Sequence, residues 1–269
     1  MSNNKYLQIE FGTGNLFEFS KERKEGFEEH INSKNTISYR KYYKEGIYGI
    51  YRGTSIRDTD FGKEISVLLV DKEGTSNYIN MPLFDAKKNI AVYAESLICV
   101  LPALEENYVY RFFSYAMDKK DSQYKSYGIS IKHADMNDKS VREDYPLKRL
   151  SYTIISKDGT VKEGDIPAVK WESHFDGSKT KNAYDKNKYL YDVLVEHAKG
   201  ALKMPTTTKV TGGEPPKPYG QTVESSPVKQ PKSEEKVVAY TQEFNEVEVK
   251  EAPKKVDDNK SNVKSELPF

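Results

Sequence analysis

Residues 108–118 read YVYRFFSYAMD, a run dominated by aromatic and apolar side chains. Such a run is typical of a β-strand, in which alternate side chains share a face. Arg111, Phe113 and Tyr115 are therefore predicted to lie on one face of the strand, and Tyr110 and Phe112 on the other. One face is expected to pack in a core, while the other forms a platform.

Runs of the same character recur through most of the first 200 residues, separated by turns rich in Gly, Asp, Lys and Asn. They predict further short strands. Glycine in the turns at 71–74 and 157–160 favours hairpins there. The predicted strands cover residues 5–11, 37–43, 47–57, 64–71, 76–83, 108–118, 124–133, 150–156 and 160–171.

Two segments, 86–101 and 182–202, have the three- and four-residue spacing of apolar positions that is typical of an amphipathic helix. Pro102 is predicted to end the first one. Both apolar stripes are expected to pack in the core. Short strands with an inserted helix favour a mainly β fold: a small β-barrel like the oligonucleotide-binding (OB) fold, with a β-sandwich as the alternative.

The composition of the chain changes after residue 202. Residues 203–269 contain 8 of the 12 prolines but only 4 of the 32 aromatic residues. This is too little apolar surface to offset an ordering entropy of about 1–2 kcal/mol per residue. We therefore expect one OB-like domain in residues 1–202, followed by a disordered tail in residues 203–269.

The net charge is close to zero, with 42 basic against 41 acidic side chains, which argues against a polycation that coats duplex DNA. The single cysteine, Cys99, cannot form an internal disulfide and is expected to be a buried, unreactive thiol. The start of the chain has no secretory pattern, and no apolar run is long enough to span a membrane. These features predict a cytoplasmic protein without membrane association.

Aromatic residues alternate with cations in two clusters of the domain. Exposed rings stack on the bases of a single strand while Lys and Arg hold its phosphates, so this combination is typical of a surface that binds single-stranded DNA. The same rings also suit ordinary packing in strands, and stacking alone does not separate DNA from RNA. The predicted contacts in the first cluster are Tyr39, Arg40, Tyr42, Tyr43, Tyr51, Arg52 and Arg57. The predicted contacts in the second cluster are Arg111, Phe113, Tyr115, Lys120, Tyr124, Lys125 and Tyr127. Trp171 is a weaker candidate.

The tail ends in Glu266-Leu267-Pro268-Phe269, with two aspartates upstream at 257–258. A short apolar hook with a free carboxylate, on a flexible and locally acidic tether, suits docking into a pocket of a partner that carries a basic residue.

In this layout the sequence resembles bacterial and phage single-stranded DNA-binding proteins. In that family an OB domain is followed by a disordered tail that ends in aspartates and then Ile-Pro-Phe or Leu-Pro-Phe. The match is residue for residue at Leu267, Pro268 and Phe269, whereas Glu266 stands in for the last acid and the aspartates lie further upstream. The domain is larger than the common bacterial form and looks more like a divergent phage-type member. The resemblance implies that the tip recruits replication, recombination or repair enzymes, and that the acidic tail can occupy the DNA groove.

No motif of the sequence indicates a catalytic or metal site, since the four histidines lack the spacing of metal ligands. The best enzymatic alternative is a metal-dependent nuclease or annealing-coupled factor that uses Asp58, Asp60 and Glu64. A solvated hairpin tip explains the same three residues. The third alternative is an adaptor whose domain binds protein and not DNA.

The expected function is therefore that of a single-stranded DNA-binding protein without enzymatic activity, cofactor or metal. It would coat and protect single strands in replication, recombination or repair, and recruit partner enzymes through its C-terminal tip.

Overall fold

A computed structural model describes residues 4–32, 34–119, 125–156, 158–175, 178–200 and 216–220. Strands make up most of its regular structure, with two helices, so the mainly β prediction is confirmed. The strands are β1 (Asn4–Ile9), β2 (Leu16–Ser20), β3 (Glu28–Ile31), β4 (Ile37–Tyr43), β5 (Ile47–Thr59), β6 (Gly62–Val70), β7 (Ser76–Pro82), β8 (Val109–Asp118), β9 (Lys125–His133), β10 (Ile154–Ile155), β11 (Val161–Lys162), β12 (Lys170–Ser173) and β13 (Lys179–Asn182). The helices are α1 (Val92–Ile98), followed by a 3₁₀ turn at Leu101–Ala103, and α2 (Tyr184–Ala198).

Nine of the strands form one sheet in the order β3-β4-β2-β1-β7-β6-β5-β8-β9. β5, β6 and β7 form an antiparallel meander, and β1 runs parallel to β7. β8 returns antiparallel beside the first part of β5, after α1. The order of these elements, a meander followed by a helix and a returning strand, is that of an OB fold. Here the N-terminal strand β1 takes the parallel position beside the third strand of the meander.

The sheet is strongly curled. In the sheet order four strands separate β4 from β5, which in a flat sheet would place them about 24 Å apart. Only three residues connect Tyr43 to Ile47, and this connection spans at most about 14 Å. The sheet therefore bends back on itself into a half-barrel.

The turn between β1 and β2 meets β8 across this half-barrel. The Ser114 hydroxyl donates a hydrogen bond to the Gly14 carbonyl at 2.6 Å. Gly14 has φ +74°, and a Cβ atom there would lie 2.3 Å from the carbonyl carbon of Tyr115. Glycine is thus required at this position both for the backbone conformation and for the close approach.

The core lies on the inner face of the half-barrel, between the sheet and the helices. Alternate residues of β6, such as Ile65 and Leu69, are buried there together with Leu97 of α1 and Leu190 of α2. Full burial of a side chain of this size contributes about 1.5–3 kcal/mol relative to exposure. Both predicted helical stripes thus contribute to the core. α1 is shorter than predicted, because it ends at Ile98, and Pro102 lies in the 3₁₀ turn that follows.

The strand predictions differ from the structure mainly after β9. The predicted strands at 150–156 and 160–171 are reduced to the short hairpin of β10 and β11, with Gly159 at φ +85° in its turn. The sequence gives no clear pattern for β2, β3 and β13, which are four or five residues long.

Part of the predicted tail lies against the domain. Residues Pro216–Gly220 line a cleft of about 410 Å³ together with Tyr108 and Met136. The Tyr219 amide donates a hydrogen bond to the Asn107 carbonyl at 2.7 Å. The remainder of the predicted tail, 203–215 and 221–269, lies outside the described residues.

Candidate nucleic-acid interface

The alternation predicted for residues 108–118 is confirmed in β8. Tyr110 and Phe112 are 1% exposed and pack in the core. Arg111 and Phe113 project from the outer face of the sheet, each half-buried, and are paired in register with Lys132 and Ser130 of β9.

Four outer residues of β5 and β8 form a row of stacked planar groups, which we call the β8 ladder: Tyr48, Arg111, Phe113 and Tyr115. The Arg111 guanidinium lies 4.9 Å from the Phe113 ring centre and 5.9 Å from that of Tyr48. Phe113 and Tyr115 are stacked, with ring centres 6.4 Å apart. The Arg111 Nε donates to the Glu45 carbonyl at 2.8 Å, which fixes the guanidinium in the row. The ladder combines rings with a cation that is already positioned.

A second aromatic surface on the outer face was not predicted from the sequence. Tyr6 of β1 and Tyr78 of β7 are stacked, with ring centres 5.3 Å apart, and Tyr6 is 53% exposed. Gln8 and Asn80 form the next pair along these two strands. Arg57 of β5 donates a hydrogen bond to the Asn80 side chain. We call these five residues the β1–β7 platform.

Polar groups beneath this platform have unused hydrogen-bonding capacity. Ser66 lies opposite Asn80 in the β6–β7 pairing, and it is buried although it is on the outer face. Among the described residues, neither its hydroxyl nor the Arg57 Nε has a hydrogen-bond partner. Buried polar atoms are usually paired, so these two are exceptions, but their burial keeps both out of direct contact with a ligand in this structure.

Arg40 and Tyr42 of the first predicted cluster also lie on the outer face, on β4. The Arg40 guanidinium lies 4.3 Å from the Phe17 ring centre and forms an ion pair with Glu10 at 2.7 Å. The Tyr42 hydroxyl donates to the same Glu10 carboxylate at 3.3 Å. Glu10 therefore neutralises the cation that these residues would offer to a phosphate.

Tyr39 and Tyr43 lie on the opposite side of β4 from Arg40. The Tyr43 ring packs against the core, and its hydroxyl donates to Glu18 at 3.0 Å. Burial, followed by the negative charge of Glu18, raises the pKa of the Tyr43 hydroxyl. Tyr39 is paired with Ser20 of β2. These two rings do not share a surface with Arg40 and Tyr42.

Tyr51 was predicted to contact DNA, and the structure corrects this prediction. Tyr51 is 2% exposed and belongs to the core, so its ring is not accessible to a base. A β-bulge between Tyr51 and Gly53 shifts the register, and Arg52 is the extra residue. Arg52 is exposed and donates a hydrogen bond to the Asn107 side chain.

Tyr127 is also placed differently from the prediction. It pairs with Ala116 on the inner side of β9, with its ring stacked on Phe11 at 5.2 Å. Lys125 is exposed and donates to the Gly12 carbonyl at 3.2 Å. The predicted contacts Lys120 and Tyr124 and the predicted docking residues Glu266, Leu267, Pro268 and Phe269 lie outside the described residues.

The carboxylates that the nuclease alternative would use do not come together in one metal site. In the β5–β6 hairpin Asp58 is paired with Lys63 and Glu64 with Arg57, so the Asp58 and Glu64 side chains lie on opposite faces. Asp58 also forms an ion pair with Lys63 at 2.9 Å. Within the described ranges, no group of three or more His, Cys, Asp or Glu side chains could hold a metal ion.

Cys99 and two of the histidines are part of the packed interior. Cys99 is 2% exposed, and burial raises the pKa of its thiol, as expected for an unreactive cysteine. Burial lowers the pKa of His133 to about 4 and that of His197 to about 4. Both imidazoles are therefore neutral at physiological pH.

None of the helices in the described part of the chain has the length and apolar character needed to cross a membrane. No family model, curated protein or solved structure matches the chain.

Proposed function

We propose that this chain is a single-stranded DNA-binding protein that coats and protects single strands in replication, recombination or repair. The observation that carries the proposal is the β8 ladder, in which Arg111 is held in a row with Tyr48, Phe113 and Tyr115 on the outer face of the sheet. Base–aromatic stacking contributes about 1–3 kcal/mol per base and does not depend on the sequence of the strand.

The position of the β1–β7 platform in the fold supports the same function. In OB folds the outer face of the second and third strands, together with the adjoining loops, binds oligonucleotides. The corresponding strands here are β6 and β7, and Tyr78 and Asn80 of the β1–β7 platform project from β7. A strand of nucleic acid that runs over the platform and the ladder would meet stacking rings and arginine side chains.

The partner-docking part of the proposal rests on the sequence. Leu267, Pro268 and Phe269 would enter a pocket of a replication, recombination or repair enzyme, with the terminal carboxylate on a basic residue of that pocket. We place the protein in the cytoplasm of a bacterium or of a phage-infected host cell. Neither a cofactor nor a metal is part of the proposal.

The direct test is a fluorescence-anisotropy titration with labelled oligomers of equal length: single-stranded DNA, duplex DNA and single-stranded RNA. We expect the tightest binding to single-stranded DNA, little dependence on its sequence, and a fall in log K with log salt of about 0.7 per neutralised phosphate. Equal affinity for duplex and single strands, or no binding, would contradict the proposal and favour the adaptor. Cleavage products that disappear with a chelator would favour the nuclease.

A further inference from the structure

A small hairpin, formed by β12 and β13, precedes α2 and has two different faces. In its register Trp171 lies opposite Lys181, and Ser173 lies opposite Lys179. Residues directly opposite each other in an antiparallel pair share a face. Trp171, Lys179 and Lys181 are therefore on one side of the hairpin, which we call the Trp171 face.

The other face of the hairpin is closed by internal contacts. The Asn182 amide donates to Glu172 at 2.5 Å, and His174 Nε2 lies 2.7 Å from the Thr180 hydroxyl. Lys170 forms an ion pair with Asp185, the second residue of α2, at 2.6 Å. The first two bonds lie within the hairpin, and the Lys170–Asp185 ion pair links it to the start of α2.

The Trp171 face lacks such contacts with the described part of the chain. Trp171 is 65% exposed, and none of the described aromatic rings or cations packs on its indole. Lys179 and Lys181 are exposed and form no ion pair with a described carboxylate. The one tryptophan of the chain thus lies outside the core, next to two cations whose charge is not neutralised by a described acid.

We infer that the Trp171 face is a second contact site for single-stranded nucleic acid, in which one base stacks on the Trp171 indole and Lys179 and Lys181 hold the neighbouring phosphates. This inference deepens the proposed function and rests on it. The site belongs to the hairpin and not to the nine-stranded sheet.

The spacing of the three side chains suits this ligand. The Cβ atom of Lys181 is about 5 Å from that of Trp171, and Lys179 is a diagonal neighbour at about 7–8 Å, within reach of a long side chain. A nucleotide presents a flat base and an anionic phosphate at the same time. An apolar protein surface would suit the indole but not the two ammonium groups, because lysine is depleted from the centres of protein interfaces.

The unique tryptophan makes a direct test of the intact protein simple. A labelled single-stranded DNA oligomer is titrated into the full chain, and two signals are recorded together: the anisotropy of the label and the Trp171 emission, excited where tyrosine does not absorb. We expect the emission to be quenched over the same concentration range in which the anisotropy rises. A rise in anisotropy without any change in emission would overturn the inference and leave the proposed function intact. No rise in anisotropy would overturn both.

Variants test the contribution of the face to affinity. Trp171→Ala is expected to weaken single-stranded DNA binding by at least about fivefold, the lower limit for one stacked base, while Trp171→Phe keeps part of the affinity. Lys181→Gln should reduce the salt dependence, whereas Lys162→Gln removes the same charge from the exposed and separate β10–β11 hairpin and should reduce it less. Equal effects of the two lysine variants, or unchanged affinity of Trp171→Ala, would contradict the inference.

Discussion

The Tyr51 hydroxyl lies 2.8 Å from Nε2 of His197, although 146 positions separate the two residues in the chain. Tyr51 belongs to β5 and His197 to the last turn of α2, so this contact joins the C-terminal helix to the sheet. In the described part of the chain, the buried Nδ1 atom of His197 has no hydrogen-bond partner. A proton added to this ring would be a buried charge that no described group compensates.

Acid is therefore expected to destabilise the fold through His197 and His133. Burial lowers the pKa of each from 6.5 to about 4, and for His133 the nearby Arg142 adds to the effect. Between about pH 6.5 and pH 4 the unfolded chain binds more protons than the folded chain. The stability that comes from the neutral imidazoles is therefore fully present above about pH 6.5 and falls as the pH falls towards 4, by at most about 1.4 kcal/mol per pH unit for each group. Urea unfolding at about pH 7 and about pH 5 measures the difference.

The matched variants are His133→Phe, which keeps a ring beside Tyr110, and His174→Gln at an exposed histidine. The first should flatten the dependence of unfolding free energy on pH, and the second should leave it unchanged. The same dependence in all three proteins would show that His133 does not contribute to the acid sensitivity.

The alternation of residues 108–118 could be predicted from the sequence because it is regular, but only the structure shows which face packs in the core, the one with Tyr110 and Phe112. Tyr51 was predicted as a contact because it belongs to a cluster of aromatic and basic residues, and such a cluster does not show which face a side chain takes. Tyr51 follows the buried Ile47 and Gly49 at two-residue steps on the inner face. The bulge between Tyr51 and Gly53 then resets the register, so that Arg57 lies on the outer face.

The β1–β7 platform could not be found from the sequence for a different reason. Tyr6 and Tyr78 come together only because β1 pairs in parallel with β7, and neither residue belongs to an aromatic cluster in the sequence. Parallel pairing between strands far apart in the chain has no local turn signal. The curl that brings the β1–β2 turn to β8 is likewise a property of the complete sheet.

Gly14→Ala is predicted to destabilise the fold more than Gly74→Ala. Both glycines have similar left-handed backbone conformations, with φ +74° and φ +80°. Alanine disfavours this conformation, so both variants lose about 1–2 kcal/mol of unfolding free energy. Only at Gly14 would the new Cβ atom meet the backbone of Tyr115, at 2.3 Å, whereas at Gly74 no described atom beyond its chain neighbours lies within 4 Å. Chemical denaturation of the two variants isolates the cost of the close approach. An equal loss in both would mean that the turn can move away from β8 at little cost.

Phe113→Ala is predicted to weaken binding of single-stranded DNA by about 5- to 150-fold, the range for loss of one stacking ring. Phe113 is half-buried on the outer face, so the variant should stay folded and lose less stability than removal of a core ring would cost. Ile155→Ala removes an exposed apolar side chain from the separate β10–β11 hairpin and should leave the affinity unchanged.

Tyr51→Phe should lower stability by loss of the His197 contact but leave the dissociation constant unchanged. A larger loss of affinity in Tyr51→Phe than in Phe113→Ala would restore Tyr51 as a contact.

Glu10→Gln is predicted to tighten DNA binding at low salt. The Glu10 carboxylate forms an ion pair with the Arg40 guanidinium at 2.7 Å. Removal of the carboxylate charge leaves the positive charge of Arg40 without this partner on the outer face. The expected gain is about 1 kcal/mol, roughly fivefold in affinity, and it should disappear as salt screens the charge. Glu163→Gln makes the same change of charge at an exposed site near β11 and is the control. Tightening by both variants would indicate a general effect of net charge and not a specific role of Arg40.

Truncation of the chain after residue 220 is predicted to tighten single-stranded DNA binding at low salt, because the removed residues 221–269 contain 10 acidic and 8 basic side chains, a net charge of −2. Truncation after residue 202 removes 11 acidic and 11 basic side chains, no net charge, and also removes the segment Pro216–Gly220 that lies against the domain. If the acidic part of the tail competes with DNA for its groove, both truncations should tighten binding, the first more than the second, and the difference should vanish at high salt.

Removal of Glu266–Phe269 alone takes away the predicted docking tip but only one acidic side chain, so DNA affinity should stay near that of the full chain. Dissociation constants that are the same for all four proteins at low salt would show that the tail does not compete for the DNA surface.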